Sequence, residues 1–136
     1  MLVSVFMSVG QTMNGISSPW MRAQLVDLLK GLSNYDYQKG SWGVFRGSGL
    51  PYDELGYAVH FFYDDTVLSH DPSSLIGSFL LDGEEVVAVT HVIAALDVIF
   101  AKYGLDLPDA AYIEKPEWAS VLVAASKALE IIQTAA

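Results

Sequence analysis

Between Val86 and Tyr103 the apolar residues Val86, Val89, Ile93, Leu96, Phe100 and Tyr103 recur every three or four positions, the period of one helical face. The stretch opens on Asp82-Gly83-Glu84-Glu85 and closes on Gly104. Asp82 can accept from first-turn amides while Glu85 reaches back to the cap, the form of a capping box, and a glycine after the last turn suits a helix end. A helix with so long an apolar face needs other elements to cover it.

Three further segments read the same way. Ser18-Pro19 has the form of a helix start, with Ser18 as cap and proline where its missing N–H is not needed. Met21, Leu25, Leu28, Leu29 and Leu32 follow at helical spacing, so a helix is expected over roughly 19–32. After Pro51, Asp53 and Glu54 suit a first turn, and Tyr52, Leu55, Gly56, Val59, Phe62 and Tyr63 continue the pattern. The same stretch carries a competing alternation, Tyr57, Val59, Phe61 and Tyr63, that would suit a strand; helix is the favoured reading. Asp64-Asp65-Thr66 ends this segment, and Asp71-Pro72-Ser73-Ser74 is a turn leading into Leu75–Leu81. Pro108-Asp109 suggests a short turn or one-turn helix through Tyr112. Lys115-Pro116-Glu117 starts a last helix, with Trp118, Val121, Leu122, Ala125, Leu129 and Ile132 on one face.

The resulting expectation is an all-α domain over residues 17–136: a small bundle of about four amphipathic helices. A long glycine- and aromatic-bearing loop, Ser33–Gly49, separates its first two helices. Residues 1–16 are expected to form a flexible N-terminal tail. No cysteine is present, which removes disulfide frameworks, zinc knuckles and thiol chemistry and fits a cytoplasmic setting. No uninterrupted apolar run approaches the roughly 20 residues of a membrane span, so no membrane association is expected.

Charge is distributed unevenly. Gly47–Ala101 holds nine acids and no lysine or arginine, whereas the rest of the chain carries seven of each, so the whole net charge of −9 lies in that window. Such a stretch repels nucleic acid and favours a cationic partner. His60 and Asp64 share a helical face, with Asp65, His70 and Asp71 close behind, and His60, Asp64 and Asp65 form the candidate metal-ligand set. The competing explanation is a helix ending in solvated acids. Glu84 and Glu85 are accounted for by capping, and His91 by a polar helix edge. No nucleophile with a partner and no glycine-rich phosphate loop is present, so no catalytic residue and no cofactor is expected. Tyr35, Tyr37, Trp42 and Phe45 surround Lys39 and Arg46 and are either interface anchors or the lid of a small core.

Tyr37-Gln38 before Trp42, Tyr52-Asp53-Glu54-Leu55, Val59-His60-Phe61-Phe62-Tyr63-Asp64-Asp65-Thr66, Asp71-Pro72 with Ile76-Gly77, Asp82-Gly83-Glu84-Glu85-Val86, Ala95-Leu96-Asp97, and Tyr112 with Pro116-Glu117-Trp118 are shared features of a recognisable set. Over about residues 20–132 the chain resembles a family of small, acidic, uncharacterised bacterial proteins common in actinomycetes. Proteins of this kind look like immunity proteins that neutralise a toxin. The resemblance and the charge together imply a non-enzymatic binding protein whose partner is a basic toxin domain. Asp53, Glu54, Asp64, Asp65, Asp71 and Trp42 are its expected partner-binding residues. The alternatives are a metal-dependent hydrolase using His60, Asp64 and Asp65, and a structural homo-oligomer.

Overall fold

The structure, a computed structural model, describes residues 15–135. Among them it is mostly helical, with isolated bridges and no strand. The elements are α1 (Pro19–Leu32), α2 (Tyr35–Ser41), α3 (Leu55–His60) continuing into a π-helical turn (Phe61–Asp65), a 3-10 turn (Pro72–Leu75), α4 (Gly83–Tyr103), α5 (Asp109–Tyr112) and α6 (Trp118–Thr134).

α1 starts where Ser18-Pro19 predicts, but the Ser18 side chain makes no capping bond; its backbone carbonyl accepts from Met21 and Arg22 instead. Its buried positions are Arg22, Leu25, Leu29 and Leu32, at spacings of three and four, so an arginine occupies a core position of the stripe. Of the expected tail, residues 1–14 lie outside the described residues. Ile16 is buried, and the Ser17 and Ser18 N–H groups donate to the carbonyls of Gly77 and Ser78 at 2.9 and 2.8 Å.

The expected Ser33–Gly49 loop is broken by α2. Asn34 accepts from the Tyr37 N–H at 3.0 Å, an N-cap that starts a helix two residues after α1 ends. Gln38 and Ser41 turn inward from it. What stays irregular is Trp42–Glu54, where Gly43, Gly47 and Gly49 hold positive φ.

The ambiguity over residues 55–63 resolves as helix. Leu55, Ala58, Phe61 and Phe62 are buried, a spacing of three and four that alternation cannot produce. At Phe61 the helix widens into the π turn, and the Phe61 carbonyl accepts from the Thr66 hydroxyl at 2.7 Å. The widening lets both phenylalanines enter the core, edge to face at 5.9 Å.

α4, α6 and α1 form the frame, with α6 packed against both of the others. Short α3 adds to that frame rather than completing a set of four comparable helices. α4 is long and apolar enough to cross a membrane, although polar residues interrupt it. A core helix has the same length and composition, and Glu85, Val89, Val92, Leu96 and Ile99 of α4 are buried.

The Asp82 carboxylate caps α4 by accepting from the Glu85 N–H at 3.1 Å. Glu85 itself does not complete the expected box. Its Oε1 accepts from the Leu81 N–H at 2.8 Å, and both its oxygens accept from Arg22 of α1, at 2.8 and 2.7 Å. Arg22 also donates to the carbonyls of Phe79 at 3.0 Å and Ile132 at 3.3 Å. The pair is 5% and 1% exposed, and it joins α1, the start of α4 and the end of α6, which fixes α4 and α6 as antiparallel.

At the other end of that pair, Lys102 and the Tyr103 hydroxyl donate to Glu117 at 2.7 and 2.8 Å. Lys102 first and Tyr103 second hold the Glu117 carboxyl down at about 2, from an ordinary 4.5. Because the folded value is the lower one, this contact stabilises above pH 4.5 and its contribution fades as pH falls from there toward 2. Glu117→Gln is therefore expected to flatten the acid limb of a melting-temperature profile over that interval, by lowering stability modestly above pH 4.5 and converging with the parent as pH falls toward 2.

Candidate functional site

Asp53 lies near the end of the irregular segment, where Gly43 donates to its carbonyl at 2.9 Å beside the Trp42–Asp53 bridge. One carboxylate oxygen accepts from the Glu54 N–H at 2.8 Å, and the other from the Tyr37 hydroxyl at 2.6 Å. Burial first and this carboxylate second push the Tyr37 hydroxyl up to about 12.

Glu54 sits at the cap position of α3 but does not cap it with its side chain, which accepts from Tyr52 at 3.1 Å. The cap comes from α5, where an Asp109 oxygen accepts from the Leu55 N–H at 2.9 Å. Burial raises the Asp109 carboxyl; the Leu55 N–H pulls it the other way, and the Glu54 and Asp53 charges raise it further. Three carboxylates thus meet at the start of α3. Asp109→Ala is expected to lower stability by about 1 kcal/mol through the lost cap, whereas Asp109→Asn keeps an acceptor, sheds the repulsion and stays near neutral in chemical denaturation.

Farther along, His60 Nδ1 lies 2.6 Å from the Asp64 carboxylate, with both side chains exposed. The Tyr63 hydroxyl donates to Asp97 at 2.6 Å, and burial ahead of that carboxylate pushes the hydroxyl well above its ordinary value. Between α3 and the α4–α5 connection runs a groove of ≈ 480 Å³, lined by apolar Leu55, Val59, Phe100 and Leu105 together with His60, Asp64 and Asp109.

The structure gathers the expected residues only in part. Asp53 and Glu54 are neighbours at one end of α3, and Asp64 pairs with His60 at the other; Asp65 and Asp71 are exposed, with no side-chain hydrogen bond to either group. No set of three His, Asp or Glu side chains among the described residues is placed to hold a metal ion, so His60, Asp64 and Asp65 are not assembled as ligands. Trp42 is corrected from surface to core: it is 6% exposed and packs edge to face on Trp118 at 5.9 Å. Its size and its neighbours in the helical stripes favour burial over display.

The exposed aromatics are others. Phe45 is 79% exposed, and Tyr52 and Tyr57 stand out next to the acids at the start of α3, edge to face at 6.4 Å. Tyr52 and Tyr57 are readable in the sequence as tyrosines flanking Asp53-Glu54. Nothing local to Asp109 signals that it caps a helix more than fifty residues earlier.

A family model described as a domain of unknown function (DUF7945) matches residues 16–136, and the chain belongs to that family. No curated protein and no solved structure matches the chain.

Proposed function

We propose that this member of the DUF7945 family is a non-enzymatic protein-binding domain that engages a basic protein partner through the face built on α3. One observation carries the reading: Tyr52 and Tyr57 stand exposed beside Asp53 and Glu54, with Asp64 and Asp65 two turns farther on, in a window that contains no lysine or arginine. Tyrosines are preferred anchors of interfaces, and surrounding carboxylates steer and orient a cationic partner. A toxin that acts on nucleic acid must present positive charge to its substrate, so an immunity protein would meet it with such a face. Asp71 lies along the same acidic segment and contributes to the long-range field. A cysteine-free chain suits a cytoplasmic site of action.

The test is co-expression with the product of the adjacent gene, followed by binding kinetics on the purified pair. Asp64→Asn with Asp65→Asn is expected to slow association and reduce its salt dependence, whereas Tyr57→Ala is expected to speed dissociation by about tenfold or more. Neither change is expected to shift stability by more than about 0.5 kcal/mol, since these side chains are exposed. Unchanged rates in both variants would remove the α3 face as the binding site.

A further inference from the structure

On the α4–α6 pair lies a second groove, apolar and ≈ 690 Å³ in volume, made of residues that the acidic face does not use. Ala88 and Ala124 line it, and Val87 and Val123 stand out beside it, 53% and 69% exposed. α4 is apolar over most of its length and only one face of it is buried within the chain, so part of the surface it leaves at the groove is apolar. The groove also differs from the acidic face around α3 in charge. Its lining holds one carboxylate, Glu84, and one ammonium, Lys127, so it is locally neutral on a chain of net charge −9.

We infer that a second copy of this chain covers the groove. In a two-fold pairing, Val87 and Val123 of each copy enter the groove of the other, and Glu84 of each faces Lys127 of its partner. A two-fold interface must be complementary to itself. A groove flanked by projecting valines, with one acid and one base, satisfies that condition in both shape and charge. A basic partner would find a single carboxylate here beside a lysine, and it is better served by the α3 face. For a second chain of net charge −9, the neutral groove is where close approach costs least.

The two surfaces respond to salt with opposite sign. Surface ion pairs such as Glu84 with Lys127 contribute little, so screening acts mainly on the repulsion between two acidic chains, and the dimer strengthens as salt rises. Binding of a basic partner at α3 weakens under the same change.

Sedimentation equilibrium on the full chain, from about 1 µM to about 1 mM protein and at about 50 and about 500 mM sodium chloride, reads the proposal directly. The expected result is a mass that rises from monomer to dimer, with the midpoint at lower protein concentration in the higher salt. Val123→Glu is expected to weaken association at least tenfold. Val98→Glu, at an exposed α4 valine outside the groove, is expected to leave it unchanged. Glu84→Lys alone is expected to weaken the dimer, and Glu84→Lys with Lys127→Glu to restore it. A monomer under every condition overturns the proposal, as do equal effects of the two valine variants or co-sedimentation of the monomer with phosphatidylcholine vesicles in place of dimerisation.

Discussion

Replacing Arg22 with methionine is expected to lower stability by about 3–5 kcal/mol, a large share of the roughly 5–15 kcal/mol that holds a domain of this size together. The loss has two sources. Glu85 is left as a 1% exposed carboxylate without its counter-charge, and the carbonyls of Phe79 and Ile132 lose their donor. The urea midpoint at pH 7 reads the effect. Arg22→Met with Glu85→Leu removes the stranded charge and is expected to recover part of the loss. Recovery stays incomplete, because the Phe79 and Ile132 carbonyls and the Leu81 N–H remain without partners, at about 1–3 kcal/mol for each group that water does not reach. A double variant as stable as the parent would show that the pair is replaceable by apolar packing and that it does not organise the three helices.

The second large effect is expected at Trp118. Trp118→Ala should cost about 3–5 kcal/mol, from the cavity it leaves beneath Trp42 and from its lost hydrogen bond. The indole N–H donates to Gln38 at 2.8 Å, and Gln38 in turn donates to the Gly31 carbonyl at 2.8 Å. α6, α2 and the end of α1 are thereby linked by one buried side-chain relay. Trp118→Phe keeps most of the apolar contact but leaves the Gln38 oxygen without a donor, and is expected to cost about 1–3 kcal/mol. The difference between the two variants in thermal unfolding, followed by circular dichroism, separates packing from hydrogen bonding. Equal losses would assign the whole effect to the polar contact.

What could be read in the sequence follows from whether a feature is local. The Val86–Tyr103 stripe, the Asp82 cap and the start at Pro19 depend on residues within a few positions, and α1, α4 and α6 lie where their periods place them, with α6 beginning at Trp118 just after Lys115-Pro116-Glu117. α2 is not legible in the sequence because four glycines near Trp42 outweigh the single capping signal of Asn34; Gly40 sits near the end of that helix, and the positive-φ glycines come after it. Glu85 looks like a capping residue locally, and that reading hides its pairing with a residue 63 positions away. One sign of the pair was present, since Arg22 falls at a core position of the α1 stripe, where an arginine must find an acid.

The acidic window narrows for the same reason. Glu85 is neutralised from outside it, Asp82 is used as a cap, and Asp97 accepts from Tyr63. Of the others, Asp64, Asp65, Asp71 and Glu84 are exposed, Glu54 is half-buried beside Tyr52 and Tyr57, and Trp42 is withdrawn into the core. The surface reading therefore rests on fewer acids than the sequence counts, together with aromatics that composition alone does not single out.

The most direct test of the α3 face is the dissociation constant of the complex with the adjacent gene's product, measured by calorimetry at about 50 and about 500 mM sodium chloride. The account predicts a complex whose affinity falls by about tenfold or more over that range, and by less when Glu54→Gln, Asp64→Asn and Asp65→Asn are combined. A complex whose affinity ignores both salt and those three substitutions, or no complex at all, would contradict it.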